Sequence, residues 1–174
     1  MWITEYILYI SLSLMLNYLY SQVYTQEIPH ELSLGIVVLG CPLRCEGCHS
    51  PHVWDINCSN TGTRLTVQKL QSVLESQKWV SCILFYGGEW NMPYLTSLLQ
   101  YCKELGYKTA LYSGHSLEWF ETNHPDYKLY LDYLKVGRYD SKYGSLNYPS
   151  TNQRLYKLDT NEDITHLFWK TNIK

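Results

Sequence analysis

Three cysteines crowd into eight residues of this chain, and their spacing restricts what it can fold into more than any other feature. Cys41, Cys45 and Cys48 follow the pattern C-x3-C-x2-C. They come directly after Leu34–Leu39, a short apolar run rich in β-branched residues, which predicts a strand buried on both faces. Gly40 ends that run. Thiols so close together in a loop after a buried strand predict a metal-binding site.

Length, composition and charge fit one globular domain in a reducing compartment. The chain has 174 residues, of which 45% are apolar and 17% charged, and its formal net charge is −2. Because there is no basic or acidic run, the charge gives no reason to expect nucleic acid or an anionic membrane as a partner. The six cysteines fit reduced, metal-binding thiols better than disulfides. We therefore expect a cytoplasmic protein.

The first residues are apolar but do not have the pattern of a targeting segment. Residues 6–20 are mostly apolar, and the first basic residue of the chain is Arg44. A secretory signal needs a basic region before its apolar core, and a spanning helix needs about 20 apolar residues with few polar breaks. We expect residues 1–16 to be an N-terminal extension, with Met15 as an alternative start. Residues 17–174 are predicted to form a single domain without a membrane span.

Strands and helices alternate after the N-terminal residues. The predicted strands are Tyr18–Thr25, Leu34–Leu39, Val80–Tyr86, Lys108–Tyr112, Tyr133–Val136 and Leu155–Leu158, and predicted helices follow Thr66, begin at Pro93, follow Ser116 and cover Ile164–Trp169. This order predicts a parallel sheet, in which ligands collect at the carboxyl ends of the strands. Gly87-Gly88-Glu89 and Ser113-Gly114 end two of the predicted strands, so we expect them at the same sheet edge as the cysteine loop.

From the residues alone, several kinds of site compete for the cysteine loop. A structural zinc site would use Cys41, Cys45, Cys48 and His49, although zinc sites usually take their ligands from two separated pairs. A haem attachment site would use residues 45–49, which read C-x-x-C-H, but that chemistry requires export. A trio of inert buried thiols is disfavoured by the charged residues between them. The fourth interpretation is an iron–sulfur cubane with three cysteine ligands.

We favour the cubane because it leaves one iron without a protein ligand and gives the neighbouring strand end a use. A small molecule can bind the open iron. Glycines such as Gly87 and Gly88 let a ligand approach the backbone closely. The Glu89 carboxylate can accept hydrogen bonds from an ammonium group.

These motifs resemble those of the radical S-adenosylmethionine superfamily and, within it, the activating proteins of anaerobic ribonucleoside-triphosphate reductases. The resemblance runs from about Leu34 to Trp169, in the order and at the small size usual for the activating proteins. It is carried by Gly40–Ser50, Tyr86–Trp90, Ala110–Gly114, Asp132–Gly137 and Thr151–Leu155. Gly47 stands where the wider superfamily often has an aromatic residue, whereas a glycine is usual in the activating proteins.

The resemblance implies a fold and a set of cofactor contacts. The expected fold is α/β, a partial, open β/α barrel of the radical S-adenosylmethionine type with a mostly parallel sheet. Cys41, Cys45 and Cys48 would ligate one [4Fe-4S] cluster. The methionine end of S-adenosylmethionine would be held by the Gly87-Gly88-Glu89 turn, with Ser113 as a further contact. No catalytic residue is expected beyond the cluster and the cofactor.

The resemblance also implies a reaction and its partners. The expected activity is reductive cleavage of S-adenosylmethionine to a 5′-deoxyadenosyl radical, which installs a glycyl radical on the anaerobic reductase. Cys58, Cys82 and Cys102 are scattered, so we expect one cluster and an external one-electron donor such as a flavodoxin. The alternatives are activation of another glycyl-radical enzyme, action on a small molecule, or a zinc-stabilised binding module. The roles of His49 and of Thr151–Arg154 stay open.

Overall fold

One mixed sheet with helices forms the fold in the computed structural model, which describes residues 15–55 and 62–169. Its strands are β1 (Asn17–Tyr24), β2 (Ser33–Val38), β3 (Thr63–Arg64), β4 (Cys82–Tyr86), β5 (Lys108–Tyr112), β6 (Tyr133–Val136), β7 (Arg154–Lys157) and β8 (Glu162–Asp163). The α-helices are α1 (Val67–Glu75), α2 (Met92–Glu104), α3 (Leu117–Asn123) and α4 (Tyr127–Tyr130), and short 3₁₀ turns cover Pro51–Val53, Glu89–Asn91 and Thr165–Phe168. Of the expected extension at residues 1–16, only residues 15 and 16 are described. Cys58 lies outside the described residues.

The sheet is parallel at its centre and antiparallel on both flanks. Its order is β3-β1-β2-β4-β5-β6-β7-β8. The pairs β2·β4, β4·β5 and β5·β6 are parallel, and the remaining pairs are antiparallel. Within residues 15–55 and 62–169 the two terminal strands, β3 and β8, do not pair with each other, so the sheet is open. An open α/β sheet agrees with the predicted fold class, whereas the short flanking strands were not predicted.

Most predicted element boundaries are confirmed by local chemistry. The Thr66 side chain accepts a hydrogen bond of 3.0 Å from the Lys69 amide and caps α1. Ser116 caps α3 in the same way, through the Trp119 amide at 3.1 Å. Pro93 lies in the first turn of α2. The short helix predicted at Ile164–Trp169 is present as the 3₁₀ turn Thr165–Phe168.

The two faces of the sheet bury different amounts of apolar surface. One face packs against the helices in a large core that includes Ile83, Phe85, Leu95 and Leu134. The other face carries a smaller cluster, which comprises Ile28, Cys82, Leu84, Ala110, Tyr133, Leu155 and Ile164. Because both faces of the central strands are covered, these strands have continuous apolar sequences. Among the helices of the described ranges, none is long and apolar enough to cross a membrane.

Candidate active site

The carboxyl ends of the parallel strands bring the predicted site residues to one edge of the sheet. The cysteine loop follows β2, Gly87 follows β4 and Ser113 follows β5. Backbone hydrogen bonds continue beyond the strand ends, from the Gly87 amide to the Tyr112 carbonyl at 3.0 Å and from the Ser113 amide to the Lys135 carbonyl at 2.9 Å. The predicted juxtaposition is therefore present in the backbone itself.

The cysteine loop lies against the ends of β5 and β6. The Arg138 guanidinium, just after β6, donates a hydrogen bond of 2.7 Å to the Leu43 carbonyl in the loop. The Leu43 side chain lies so close to Gly114 that a Cβ there would be 2.5 Å from Leu43 Cδ1. Farther along the loop, the rings of His49 and Tyr139 contact each other at a centroid distance of 4.8 Å. These contacts hold the cysteine-bearing backbone over the strand ends.

All three thiols of the loop are free and differ in burial. Cys45 is buried, whereas Cys41 and Cys48 are half-buried. The Cys48 sulfur accepts a hydrogen bond from the Ser50 amide at 3.3 Å. Burial raises the pKa of the Cys41 thiol, and the nearby Glu89 carboxylate raises it further. Both effects disfavour the thiolate form of Cys41. Coordination to a metal would favour it, because the thiolate is the form that binds a metal.

The described residues contain no group arranged to hold a single metal ion. Among the residues in 15–55 and 62–169, no three His, Cys, Asp or Glu side chains are grouped to hold one metal ion. A mononuclear site needs such a grouping, since each ligand lies about 2.0–2.3 Å from a zinc ion. A cubane cluster spreads its ligands farther apart, because each cysteine binds a different iron.

Glu89 is a buried carboxyl with one free acceptor at this edge. Its exposed fraction is 4%. The Ser113 hydroxyl donates a 2.7 Å hydrogen bond to Glu89 Oε1, whereas the buried Oε2 has no hydrogen-bond partner. Burial raises the pKa of Glu89, and the hydrogen bond from Ser113, backbone interactions at Glu89 and Gly114, and the charge of Lys135 partly oppose this rise. An unpaired buried acceptor calls for a donor, and an ammonium group has the required chemistry.

The two glycines before Glu89 form the turn that positions it. Gly87 and Gly88 have φ angles of 83° and 106°, in the left-handed region that favours glycine. A Cβ on Gly87 would lie 2.8 Å from the Trp90 ring, and one on Gly88 would lie 3.1 Å from Leu16 Cδ1. A side chain at either position would strain this turn, and at Gly87 it would also clash with Trp90. A 3₁₀ turn begins with Glu89.

Lys135 belongs to this edge and was not predicted as a site residue. It lies in β6 with an exposed fraction of 8%, and its ammonium group donates a hydrogen bond of 3.2 Å to the Gly137 carbonyl. Burial lowers the pKa of Lys135 to about 8, while Cys45, Glu89 and Cys48 act in the opposite direction. The available signal in the sequence is a lysine inside the otherwise apolar strand Tyr133–Val136.

The segment Thr151–Arg154, whose role the sequence left open, fastens the loop that follows β6. Gln153 donates a hydrogen bond to the Gly137 carbonyl at 3.1 Å, and Asn152 donates one to the Arg138 carbonyl at 2.8 Å. The Thr151 hydroxyl donates one to the Gly144 carbonyl at 3.4 Å. These bonds support the segment that carries Arg138 to the cysteine loop.

A large open cavity adjoins the cysteine loop. Its volume is about 1200 Å³, and its lining includes His49, Tyr112, Lys135 and Gln153. Glu27 also lines it, and burial raises the pKa of this carboxyl although the Tyr86 and Tyr112 hydroxyls interact with it. Charged groups of both signs and several aromatic rings thus surround one space beside the thiols.

The fold and the cysteine loop have counterparts among known proteins. Residues 32–157 match the family described as the 4Fe-4S single cluster domain. The chain belongs to this family. No curated protein matches the sequence. QueE from Escherichia coli has a similar structure, with a TM-score of 0.51 and 16% identity over 62% of this chain. The match spans 56% of QueE, so this chain corresponds to little more than half of that protein.

These findings bear out the iron–sulfur part of the expectations. They support an iron–sulfur protein with an open α/β fold. The activating-protein assignment, the partners and the individual ligand roles stay predictions.

Proposed function

We propose that this protein is a radical S-adenosylmethionine enzyme that holds one [4Fe-4S] cluster through Cys41, Cys45 and Cys48. Membership of the 4Fe-4S single cluster domain family supports the cluster. The observation that carries the proposal is the Glu89 carboxyl, which is buried beside the cysteine loop with its Oε2 atom unpartnered. A bound molecule with an ammonium group would supply the hydrogen-bond donor that Glu89 Oε2 lacks, and S-adenosylmethionine has such a group.

Each residue at the sheet edge then has a defined task. Glu89 accepts hydrogen bonds from the ammonium group of the methionine moiety. Ser113 holds Glu89 in place through its 2.7 Å hydrogen bond. Gly87 and Gly88 supply the tight turn that admits the cofactor. When bound, the reduced cluster and S-adenosylmethionine together supply a 5′-deoxyadenosyl radical that abstracts a hydrogen atom.

The substrate that we propose is a glycine in the backbone of an anaerobic (class III) ribonucleoside-triphosphate reductase. The segments Gly40–Ser50 and Thr151–Leu155 support this choice, because they resemble the activating proteins of these reductases. The open cavity of about 1200 Å³ beside the cysteine loop leaves room for a loop of such a substrate.

Hydrogen abstraction requires the glycine of the reductase to enter the cavity. The reacting atoms must approach to about 3–3.5 Å, so a loop of the reductase has to enter the space beside the cysteines. An open sheet leaves a side free for such a loop. The electron would come from an external donor such as a flavodoxin.

A glycyl-radical assay tests this function. Protein reconstituted with iron and sulfide without oxygen is reduced with S-adenosylmethionine and the reductase, and the glycyl radical is recorded by electron paramagnetic resonance. We expect a radical signal and 5′-deoxyadenosine with the wild type and with Cys102→Ala, a cysteine buried in α2. We expect neither with Cys45→Ala. Formation of 5′-deoxyadenosine without a radical on the reductase would favour another glycyl-radical enzyme or a small molecule as substrate. A colourless protein with one bound zinc would overturn the proposal.

A further inference from the structure

Lys135 is a buried cation for which the described chain provides no carboxylate partner within ion-pair distance. The ion pairs formed among residues 15–55 and 62–169 involve Lys103, Lys108, Arg154 and Lys157. Lys135 instead donates to the Gly137 carbonyl and lies 6.0 Å from the centre of the Tyr112 ring. A buried charge without a counter-charge is costly, so its retention in an apolar strand needs an explanation.

Two thiols of the cysteine loop and the Glu89 carboxyl lie near Lys135, and Glu27 lines the same cavity. The Lys135 ammonium group interacts electrostatically with Cys45, Cys48 and Glu89. His49, next to Cys48, lines the same cavity as Lys135. Cysteines become anionic when they bind a metal, because the ligand is the thiolate. A bound cluster with three thiolate ligands would carry a net negative charge, so the counter-charge to Lys135 would be larger in the cluster-loaded protein.

The other cations at this edge are in contact with water. Arg44 and Arg138 are exposed, and solvent screens their charges. In the described part of the chain, Lys135 is the one buried lysine or arginine. A charge in a low-dielectric interior acts on its neighbours more strongly than a charge of equal size at the surface.

We propose that Lys135 is the buried counter-cation of the iron–sulfur site and that its charge raises the reduction potential of the cluster. This inference rests on the proposed function, since it takes Cys41, Cys45 and Cys48 as the cluster ligands. Reduction would add one electron, and so one negative charge, to the cluster near Lys135. A fixed positive charge stabilises the reduced site more than the oxidised site, and charge and hydrogen bonding near the sulfurs are known to set such potentials. Lys135 thus acts on the cluster through its charge and is not one of its ligands.

A redox titration of the cluster without S-adenosylmethionine tests the proposal. Iron and sulfide contents are measured first, so that only fully loaded proteins are compared. We expect Lys135→Met to lower the midpoint potential by about 59 mV, which for a one-electron couple is a tenfold fall in the ratio of reduced to oxidised cluster at a fixed potential. Lys135→Gln should shift the potential in the same direction, and Lys135→Arg should stay close to the wild type.

Lys78→Met is the matched control. Lys78 is exposed in the turn before β4, at the edge of the sheet opposite to the cysteine loop. The substitution removes the same formal charge, but at the edge of the sheet away from the cysteine loop. It should therefore leave the midpoint potential unchanged. An equal shift in this variant would mean that net charge alone, rather than the position of Lys135, sets the potential, and would overturn the proposal.

Stability and cofactor affinity separate the proposal from its rivals. In the cluster-free protein, Lys135→Met removes an unpaired buried charge, so the free energy of unfolding should not fall. An unchanged potential with a loss of stability would identify a merely structural lysine. An unchanged potential with weaker S-adenosylmethionine binding would identify a cofactor contact, and either result would overturn the proposal. If the wild type takes up no cluster at all, the proposed function fails and the inference fails with it.

Discussion

The Ser113 hydroxyl donates a hydrogen bond of 2.7 Å to Glu89 Oε1 and so joins the ends of two neighbouring parallel strands. Both side chains are buried, and the second carboxyl oxygen of Glu89 remains available. This pair connects the fold to the proposed chemistry, because a carboxylate held at a strand end beside the cysteine loop can orient an ammonium group. Several consequences of this arrangement can be measured.

Glu89→Gln should weaken the binding of S-adenosylmethionine to the cluster-loaded protein. The amide keeps the size of the side chain and its hydrogen bond with Ser113 but removes the negative charge. Hydrogen bonds to charged groups contribute about 1.5–3 kcal/mol, so we expect affinity to fall roughly tenfold to a hundredfold. Equilibrium dialysis measures the dissociation constant. Glu104→Gln, at an exposed position at the end of α2, is the control and should bind as the wild type does.

The cluster-free protein should lose stability with rising pH because of Glu89. Burial raises the pKa of Glu89 above its usual value of 4.5. The folded state therefore holds this proton more tightly than the unfolded state. The resulting stabilisation is complete below the unfolded pKa and is lost as the pH rises through the folded pKa.

Urea denaturation of the wild type and of Glu89→Gln at pH 5 and pH 8 measures this effect. The free energy of unfolding should fall more between these pH values in the wild type, since the amide does not titrate. Groups that Glu89 does not affect, such as Glu27, titrate alike in both proteins and cancel in the difference. Identical pH dependence in the two proteins would show that Glu89 does not behave as a buried acid.

Gly137→Ala should destabilise the loop that supports the cysteines. Gly137 has a φ angle of 99°, and an added Cβ would lie 2.9 Å from the Asn152 carbonyl oxygen. Gly106→Ala is the matched control, since Gly106 has a φ angle of 86° but nothing within 4 Å of the added Cβ. The control should lose about 1–2 kcal/mol from backbone strain alone. Gly137→Ala should lose about 1–3 kcal/mol more, because a carbonyl must move. Equal losses would mean that the contact with Asn152 is not tight.

The sequence predicts the centre of this protein better than its flanks. Lys108–Tyr112 and Tyr133–Val136 have the predicted bounds, because both are short, mostly apolar segments between clear turn residues. Thr63–Arg64 and Glu162–Asp163 were missed, since two residues carry no detectable periodicity. Helix Tyr127–Tyr130 was missed for the same reason of length.

The candidate site also contains residues that could be predicted from the sequence and residues that could not. The cysteine loop and Glu89 could be predicted, because their residue types and their places after strands are visible in the sequence. Lys135 could not, since its burial and its nearness to Cys45 and Cys48 depend on how β6 meets the cysteine loop. The hydrogen bonds from Asn152 and Gln153 to the loop after β6 likewise arise only from the tertiary fold.

The most direct test of the account is the electron paramagnetic resonance spectrum of the reduced cluster with and without S-adenosylmethionine. A cluster held by Cys41, Cys45 and Cys48 leaves one iron open, so the account predicts that the spectrum changes when S-adenosylmethionine is added. Alanine at any of these cysteines should prevent cluster formation, whereas Cys102→Ala should behave as the wild type does. A cluster whose spectrum does not respond to S-adenosylmethionine, or one that persists in Cys45→Ala, would contradict the account.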